Sequence, residues 1–575
     1  MNIVGLSYGF HESACCLLRD GELVAAAEEE RFSRRKHDAR LPVNALRFCL
    51  ERGGLGIDRL DALAYYESPA AKLARQLWAG QIRRLPDLDP GRVERDLRER
   101  LGFEGPLLTF DHHLSHAASS YFYSGFEEAA VLTVDGVGEW ATTTYGHGSG
   151  RELAAFEEVH FPHSLGLLYS ALTAFLGFRV NDGEYKVMGL AAYGRPRHFA
   201  ALARLLEPGP RGQFRLDLRC FDFSGAPRMY TDALADLLGF PPRAPGAEIE
   251  ECHRDLAASL QLLLEETLLD KVRYLASQVP SPNLCLAGGV ALNCVANRRL
   301  LAEGPFRRLF VQPAAGDSGA CLGAAALAHA ALTGSRPSRR PLEQVHLGPE
   351  YGAPEIAGLL AAAGVAARDF TRREPKLLAA AVERLLAGEV LGWFQGRMEL
   401  GPRALGARSI LADPRRPDVR DRLNRLIKKR EDFRPFAPSV LAEHAARHFE
   451  LEHPSPFMLE TCAVRSPIEL PAITHVDGSA RPQTVDRRHL PRFAALLDAF
   501  YQRSGCPLLV NTSFNVDGEP IVCTPEDALR TFAAARLDAL VLGDFLLELA
   551  ALPPAWLDRS PKAASAIPEA TYTFI

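Results

Sequence analysis

The sequence lacks any long run of basic residues and any stretch in which basic and aromatic residues alternate. Lysine and arginine together number 66, against 71 aspartates and glutamates, and the formal net charge is −5. A protein that binds a polynucleotide needs such residues to neutralise several phosphates. The two short basic clusters, residues 34–36 and 428–430, are each more typical of a solvated surface. The composition therefore argues against a nucleic-acid partner.

Features of secreted and membrane proteins are also missing. The 11 cysteines are odd in number and follow no C-x-x-C spacing, which argues against a disulfide framework or a zinc ribbon and favours free thiols. No apolar run approaches the roughly 20 residues that span a bilayer. The first residues show neither the charged nor the apolar region of a secretory leader. We therefore expect a cytoplasmic protein without a membrane partner.

The length predicts two domains. At 575 residues with 47% hydrophobic side chains, the chain exceeds the roughly 250–300 residues that one core supports. Between Gly334 and Gly352 the composition changes to Gly, Ser, Pro and Arg without apolar periodicity, so we place the domain boundary there. This predicts an N-terminal domain of residues 1–345 and a C-terminal domain of residues 346–575. Both mix strand and helix patterns, which predicts the α/β class.

Local patterns predict the elements around a candidate site. Predicted strands cover residues 3–7, 14–18, 129–134, 283–287 and 390–394, and predicted helices cover residues 256–276, 320–332 and 375–386. The first two strands, joined through a turn at Gly9, predict an opening β-hairpin.

Two histidines and two aspartates form a candidate metal site. His112 and His116 lie one helical turn apart in a segment that begins at Asp111, a residue type that caps helices. Such a pair by itself is more often structural. Asp135, however, ends a predicted strand at an Asp-Gly turn, and Asp317 lies in a Gly-rich segment before a helix, where side chains are available as ligands. The set suits a divalent metal, and ligand type leaves iron, manganese and zinc open.

Glycine-rich segments lie beside these residues. Gly288-Gly289 and residues 316–319 each join a strand to a helix, where bare backbone amides can approach a nucleotide phosphate closely. One such segment is usually an ordinary tight turn. Two of them alongside a metal site favour nucleotide binding.

The C-terminal domain contains two polar pairs with i, i+2 spacing, Lys428 with Arg430 and Ser513 with Asn515. In an extended chain, residues i and i+2 face the same way. Two cations and two neutral hydrogen-bonding groups that face one cavity predict a phosphate or acyl-phosphate site. Further candidates for oxyanion contacts are Arg397, Arg403 and Arg434.

Together these motifs resemble a known family. The His112-x-x-x-His116 pair with Asp135, the Gly-Gly-Val-Ala segment 288–291 and the Gly-Asp-Ser-Gly segment 316–319 resemble the actin-like ATPase-fold domain of tRNA threonylcarbamoyl transferases. The K-x-R and S-x-N pairs resemble the YrdC-like domain that makes carbamoyl-type adenylates. Joined in this order, with a Gly-Glu-Tyr-Lys segment from residue 183 between them and Phe-Arg-Pro-Phe-Ala-Pro from residue 433, they resemble the O-carbamoyltransferases of nodulation-factor and antibiotic biosynthesis.

The resemblance implies a two-step, ATP-dependent reaction. Carbamoyl phosphate and ATP would form a carbamoyl adenylate in the YrdC-like domain, and a hydroxyl of a small-molecule natural product would then accept the carbamoyl group in the actin-like domain. The resemblance makes His11 the base near the acceptor oxygen, a role that suits the titration range of histidine. It assigns Fe2+, or another divalent metal, to His112, His116, Asp135 and Asp317. The implied residues for ATP, its Mg2+ and the carbamoyl donor are Lys36, Gly288, Gly289, Asn293, Arg397, Lys428, Arg430, Arg481, Ser513 and Asn515.

Three alternatives stay open at this point. A kinase of the actin-like superfamily would release ADP and leave the C-terminal polar pairs without a role. Transfer of threonylcarbamoyl to tRNA is disfavoured by the fused second domain and by the lack of a basic surface. A non-catalytic nucleotide-binding regulator would leave the buried charges unexplained. The acceptor is not readable from the sequence, and a homodimer is the default expectation because it is the commonest closed assembly.

Overall fold

The computed structural model describes residues 1–81, 89–225, 228–338, 340–428, 431 and 433–557, including their side chains except those of residues 426–428. Within these residues the chain forms two compact units. The first comprises residues 1–29 and 37–342, and the second comprises residues 30–36 and 343–557. The division lies three residues from the predicted boundary. The inclusion of residues 30–36 in the second unit was not predicted, because it depends on contacts with residues hundreds of positions away.

The first unit contains two five-stranded sheets with the same topology. Its strands in the described residues are β1 (Asn2–Ser7), β2 (Ala14–Arg19), β3 (Glu22–Glu28), β4 (Ala62–Tyr65), β5 (Leu107–Thr109), β6 (Glu128–Val134), β7 (Ala141–Ser149), β8 (Glu152–His160), β9 (Leu206–Pro208), β10 (Phe214–Leu216), β11 (Asn283–Ala287) and β12 (Arg308–Val311). The sheet orders are β3-β2-β1-β4-β5 and β12-β11-β6-β7-β8. In each, an antiparallel meander is extended by two parallel strands on the side of its first strand.

Helices cover these sheets, as the alternation of strand and helix patterns predicts. Along residues 1–342 they are α1 (Glu29–Ser33), α2 (Val43–Gly53), α3 (Pro69–Trp78), α4 (Arg92–Leu101), α5 (His112–Tyr121), α6 (Leu165–Phe175), α7 (Glu184–Ala191), α8 (Phe199–Ala203), α9 (Asp232–Leu238), α10 (Glu251–Gln278), α11 (Cys294–Glu303) and α12 (Asp317–Thr333). The mixed α/β class is confirmed, as are the opening hairpin and the strand at 283–287.

Two predicted helices begin earlier than the apolar pattern indicates. Helix α10 starts at Glu251, because Glu250 and His253 form a reciprocal capping box with each other's backbone. Helix α12 starts at Asp317, with Gly316 as its N-cap in extended conformation. Asp317 therefore lies in the first helical turn and not in the preceding loop, which corrects the prediction for this residue.

Glycines allow α12 to pack very closely in the first unit. A Cβ atom at Gly323 would lie 1.8 Å from the carbonyl oxygen of Ser115 in α5, and one at Gly5 in β1 would lie 1.9 Å from the carbonyl oxygen of Cys321. These separations are far below van der Waals contact, so only glycine fits at either position. The close approach brings the helix that begins with Asp317 against the helix that begins with His112.

The second unit is built on one eight-stranded mixed sheet with the order β13-β22-β21-β14-β15-β20-β16-β19. The strands of residues 343–557 are β13 (Arg368–Asp369), β14 (Leu391–Phe394), β15 (Arg408–Ala412), β16 (Ala437–Leu441), β17 (Cys462–Ala463), β18 (Ser479–Ala480), β19 (Gln483–Val485), β20 (Leu508–Ser513), β21 (Ala539–Leu542) and β22 (Phe545–Glu548). The helices are α13 (Ala353–Ala362), α14 (Glu374–Leu386), α15 (Pro417–Arg422), α16 (Ala445–His448), α17 (Pro491–Ser504), α18 (Pro525–Ala535) and α19 (Pro554–Leu557). A continuous apolar core lines this sheet, with Trp393 and Phe500 among its fully buried residues.

In the part of the chain that the structure describes, no helix combines the length and the apolar character needed to cross a bilayer.

We expect Gly323→Ala to lower the thermal unfolding temperature, because the added methyl group must separate α5 from α12. Overpacking of this kind costs about 1–3 kcal/mol. Gly358→Ala is the matched control, since Gly358 lies inside α13 and a Cβ atom there would have no neighbouring atom within 4 Å. That change should stabilise the protein by about 0.5–1 kcal/mol. Equal melting temperatures for the two variants, measured by calorimetry, would contradict the close packing.

Candidate active site

The two histidines of the candidate metal site are placed by the first turn of α5. The helix begins at His112 as predicted, and Asp111 is its N-cap residue, but the Asp111 side chain makes no capping hydrogen bond. Instead, both carboxylate oxygens of Glu139 accept from the backbone N–H of His112 at 3.1 Å. Glu139 also accepts from the N–H of Ser68 at 2.6 Å. A buried acid from a later loop therefore holds the end of the helix that carries His112 and His116.

The four predicted ligands converge in the first unit. The Nε2 atoms of His112 and His116 are 3.1 Å apart. Asp135 Oδ2 lies 3.0 Å from the first and 3.3 Å from the second. Asp317 Oδ1 lies 3.6 Å and 3.4 Å from the same two nitrogens. All four ligand atoms lie within 4.8 Å of one another, and the least buried side chain, that of Asp135, is only 15% exposed.

The cluster is electrostatically coupled. Burial by itself would lower the pKa of His116, but hydrogen bonds and charges from Asp135 and Asp317 outweigh it and raise the pKa to about 9. Burial would likewise raise the pKa of Asp135, whereas His112 and His116 hold it well below its ordinary value. Each residue thus favours the charged form of its neighbours. A cation at the same place would compete with the protons on the imidazoles.

These residues fit a divalent metal ion. The Nε2 atoms of His112 and His116 lie 3.1 Å apart, and both face carboxylate oxygens of Asp135 and Asp317. Asp317 Oδ2 is also buried without a hydrogen-bond partner among the described residues. Two neutral nitrogens and two carboxylates supply both the donors and the negative charge that a mid-row divalent ion requires. The prediction of a shared four-residue set is therefore matched by the geometry.

Backbone contacts fix the orientation of Asp135 at the end of β6. Its Oδ1 accepts from the N–H of Gly289 at 2.9 Å. Gly288 has a φ of 93°, and a Cβ there would lie 2.3 Å from the carbonyl oxygen of Val134, so the turn requires glycine. The hydroxyl of Ser164 donates to the carbonyl oxygens of Asp135 and Gly136. The Gly289 amide, which the sequence pattern assigned to a nucleotide, thus donates to the Asp135 carboxylate.

His11 lies in the first unit near this cluster. Its charge is one of those that act on Asp317 and help to lower the pKa of that buried acid, after burial and the two metal-site histidines. The ring of His11 contacts that of Phe10, and its side chain is 20% exposed. Its Nδ1 lies 3.9 Å from a carboxylate oxygen of Glu12. The imidazole is therefore only partly exposed, and its role as a base stays a prediction.

Two further predicted nucleotide residues have defined surroundings. Asn293 is the N-cap of α11, where its side chain accepts from the N–H of Ala296, and its amide exchanges two hydrogen bonds with Gln261. These contacts give Asn293 a structural role that does not require a bound nucleotide. Lys36 is the last residue of the segment 30–36 that packs with the second unit.

The S-x-N pair lies together, as the extended-chain prediction requires. Ser513 is the last residue of β20, and its hydroxyl donates to Asn515 Oδ1 at 2.7 Å. Asn515 Nδ2 in turn donates to the carbonyl oxygen of Glu519 at 2.7 Å.

The K-x-R pair differs from the prediction. Residues Leu423–Lys428 form a π-helical turn, so Lys428 ends a helix and does not lie in an extended strand. The extended-chain argument is therefore wrong for Lys428, because a helical backbone replaces the two-residue repeat of a strand with 3.6 or more residues per turn. Arg430 and the side chain of Lys428 lie outside the described residues.

The remaining predicted arginines all lie in the second unit. Arg397 donates to the carbonyl oxygens of Gly348 and Leu347. Arg481 is half-buried, and its Nε has no hydrogen-bond partner among the described residues. Arg403 lies within the loop of residues 395–408, and Arg434 lies 3.8 Å from Glu431. Their roles toward carbamoyl phosphate stay predictions.

Sequence reasoning missed Glu399, which organises the 395–408 loop. Its Oε1 accepts from the backbone N–H groups of Leu405, Ala407 and Arg408 at 2.7, 2.8 and 3.2 Å. The fully buried Arg408 donates to the carbonyl oxygens of Gln395 and Gly396. The indole of Trp393 donates to the carbonyl oxygen of Gly406 at 2.9 Å. An isolated Glu between Met and Leu carries no sequence signal for such a role, since its partners are backbone groups.

Comparison with known protein families agrees with this architecture. The family described as "Carbamoyltransferase N-terminus" matches residues 2–89 and 91–326, and "Carbamoyltransferase C-terminus" matches residues 382–549. The chain belongs to the carbamoyltransferase family. It is therefore an enzyme of the transferase class, and the resemblance read from the motifs is confirmed.

Several relatives of this carbamoyltransferase cover most of its length. A Synechocystis protein, sll1178, is 44% identical over 96% of this chain and 97% of its own. The nodulation protein NolNO of Sinorhizobium fredii is 40% identical over 94% of this chain and 79% of its own. The 3'-hydroxymethylcephem-O-carbamoyltransferase of Streptomyces clavuligerus is 37% identical over 52% of this chain and 54% of its own. A solved structure of HypF from T. kodakarensis matches with a TM-score of 0.31 and 15% identity over 58% of this chain and 48% of that one, which is too weak to carry an argument.

We expect the carbamoyltransferase to bind one Co2+ or Fe2+ per chain, and Asp317→Asn or His116→Gln to abolish this binding. A ligand that binds only the folded state stabilises it by about 4 kcal/mol at 1,000 times its Kd, so metal should raise the melting temperature of the unsubstituted protein and not that of these variants. Elemental analysis and the visible spectrum of Co2+ measure binding directly.

His113→Asn is the control for that experiment. His113 is buried in the same helix turn and bonds Thr133 through Nδ1 at 2.7 Å, a contact that asparagine can retain. It contributes no atom to the cluster, so this variant should bind metal normally. Loss of metal in all three variants would mean that the helix, and not the four ligands, had been damaged.

Proposed function

We propose that this carbamoyltransferase uses ATP and carbamoyl phosphate to form a carbamoyl adenylate, and then transfers the carbamoyl group to a hydroxyl of a small-molecule natural product. The observation that carries the proposal is the buried His2Asp2 cluster in the N-terminal unit of a chain whose two units both match carbamoyltransferase domains. A buried metal site in the same unit as a partly exposed histidine suits acyl transfer to an alcohol. Two of the named relatives' functions, nodulation and cephem carbamoylation, agree with small-molecule acceptors.

The fold supports this division between two units. The first unit repeats one strand order in two sheets, which favours the predicted actin-like ATPase fold. The second unit, with one large mixed sheet and with Arg397 and Arg403 in the 395–408 loop, would then form the adenylate in a YrdC-like manner.

The first half-reaction balances with one water molecule. Water takes the phosphoryl group of carbamoyl phosphate, which yields carbamate and inorganic phosphate. A carbamate oxygen then attacks the α-phosphorus of ATP, and pyrophosphate leaves. Arg397, Arg403 and Arg481 suit the several anionic oxygens involved, because guanidinium groups form paired hydrogen bonds with phosphate. The neutral Ser513–Asn515 pair suits the carbamoyl carbonyl and amide.

In the second half-reaction, the acceptor hydroxyl attacks the carbamoyl carbon and AMP leaves. His11 takes the hydroxyl proton, since it is partly exposed and close enough for its charge to act on Asp317. The bound metal would neutralise charge on the leaving phosphate. His112, His116, Asp135 and Asp317 would hold that metal, and Glu139 keeps the two histidines in position through the end of their helix.

The decisive experiment uses purified protein with carbamoyl phosphate, ATP labelled at the α-phosphorus, Mg2+ and Fe2+, but no acceptor. We expect carbamoyl adenylate, or AMP from its hydrolysis, together with pyrophosphate. Separation of the labelled nucleotides measures the products. ADP as the sole product would instead favour the actin-like kinase alternative, and the proposal would then be abandoned.

Replacement of Lys428 and His11 separates the two steps. Lys428→Ala should reduce adenylate formation by about 100-fold or more if it contacts the phosphates. His11→Ala should leave the rate of adenylate formation unchanged. It should slow carbamoyl transfer from the adenylate to the acceptor hydroxyl by about 10²–10⁴-fold, the range of general-base catalysis. Stopped assays of AMP and pyrophosphate follow the first step, and radiolabelled carbamoyl transfer follows the second. Equal losses in both steps for either variant would remove the division of labour.

A further inference from the structure

A short segment near the N-terminus is part of the second unit. Residues 30–36 are preceded and followed in sequence by residues of the first unit, yet they group with residues 343–557. Phe32 packs against a small apolar cluster of Met398, Ile521 and Cys523. The second unit therefore includes a segment that lies more than 300 positions before the rest of it.

Arg34 fixes this segment to the chain that follows β20. Its Nη1 donates to the carbonyl oxygen of Ile521 at 2.6 Å and its Nη2 to that of Pro520 at 2.9 Å. Its Nε also lies 3.6 Å from Asp527 Oδ1. Arg34 has a φ of 57°, a conformation that costs about 1 kcal/mol or more for a residue other than glycine. Three contacts through one guanidinium offset that cost.

Arg31 anchors the same segment to a second part of this unit. Its side chain is 6% exposed and forms an ion pair with Glu30 at 2.7 Å. Its Nη2 donates to the carbonyl oxygen of Gly401 at 3.0 Å. Gly401 lies in the 395–408 loop, between Glu399 and Arg403.

Two of the three carbonyl groups held by the segment, those of Gly401 and Pro520, are close in sequence to the two parts of the proposed donor site. Gly401 is two residues from Arg403, in the loop whose backbone Glu399 organises. Pro520 directly follows Glu519, whose carbonyl oxygen accepts from the Asn515 side chain. Arg31 and Arg34 therefore act on the two loops that carry the guanidinium groups and the S-x-N pair.

We propose that Arg31 and Arg34 are positioning residues for carbamoyl-donor activation in the second unit. The inference rests on the proposed function. They hold the 395–408 loop and the chain at 519–521 in the arrangement that places Arg403 and Asn515 toward the carbamoyl donor. Displacement of a binding group by about 1 Å can reduce a rate by 100-fold, so loss of these anchors weakens donor binding without removing a donor ligand.

The test compares Arg31→Met, Arg34→Met and Arg34→Lys in the full-length protein. Steady-state formation of AMP and pyrophosphate is measured against carbamoyl phosphate concentration at saturating ATP. We expect each Met variant to raise the KM for carbamoyl phosphate roughly tenfold or more, because donor-binding groups lose their orientation. Arg34→Lys keeps the charge but not the fork to two carbonyl groups, so its KM should be intermediate.

Arg19→Met is the matched control. Arg19 also donates to a backbone carbonyl oxygen, that of Gly53, but it lies in β2 of the first unit. Its KM for carbamoyl phosphate should equal that of the unsubstituted protein. Co2+ binding is measured in every preparation as a check that the first unit is folded.

The outcomes separate the inference from the proposed function. If the unsubstituted protein forms neither adenylate nor AMP, the proposed function fails and the inference falls with it. If that protein is active and the Met variants keep its KM, only the inference is overturned. A lower kcat at unchanged KM would show that a smaller fraction of the protein is folded. The role of the substituted arginine would then be purely structural, and the inference would again be overturned. A raised KM with normal Co2+ binding supports it.

Discussion

The first unit depends on the burial of two carboxylates and two imidazoles within 4.8 Å of one another. Charged groups taken out of water are costly unless they are paired with one another or with a metal. The surrounding structure keeps them in register: Glu139 holds the helix end at His112, Gly289 holds Asp135, and a glycine contact brings the helix of Asp317 close to that of His112. The close helix packing and the assembly of these four side chains are therefore one constraint and not two.

In the proposed function, the second unit has to hold flexible cationic side chains in fixed orientations. An arginine recognises phosphate by direction as well as by charge, and its long side chain is useful only if its backbone is fixed. Glu399 fixes the 395–408 loop from within through three backbone N–H groups. Residues 31 and 34 reach the same region from elsewhere in the sequence. Nearly all of these contacts use backbone carbonyl or N–H groups, so they constrain loop shape directly.

Residue patterns in the sequence predicted a good part of the fold and the four residues that cluster in the candidate metal site. Strand 283–287, the opening hairpin and the helix beginning at His112 follow from apolar periodicity and turn residues, because local sequence controls backbone conformation over a few residues. The i, i+4 histidines faced one side of a helix for the same reason. The prediction placed Lys428 in an extended segment, but the residue lies in a helical turn. Two residues are too few to distinguish the two-residue repeat of a strand from the longer repeat of a helix. Glu139 and Glu399 were missed because each binds backbone groups, which leave no pattern of side chains to detect.

The sequence by itself determined the α/β class, the family and the four residues of the candidate metal site, since these depend on residue types at short spacing and on motifs along the whole chain. Only the tertiary structure decided that those four side chains meet, that Asn293 caps a helix, and that residues 30–36 belong with the second unit. The physical reason is the range of the interactions. Backbone propensity and helical spacing act over a few residues, whereas hydrogen bonds such as those from Arg34 to Pro520 and Ile521 join positions nearly 500 residues apart, and exist only after the chain has folded.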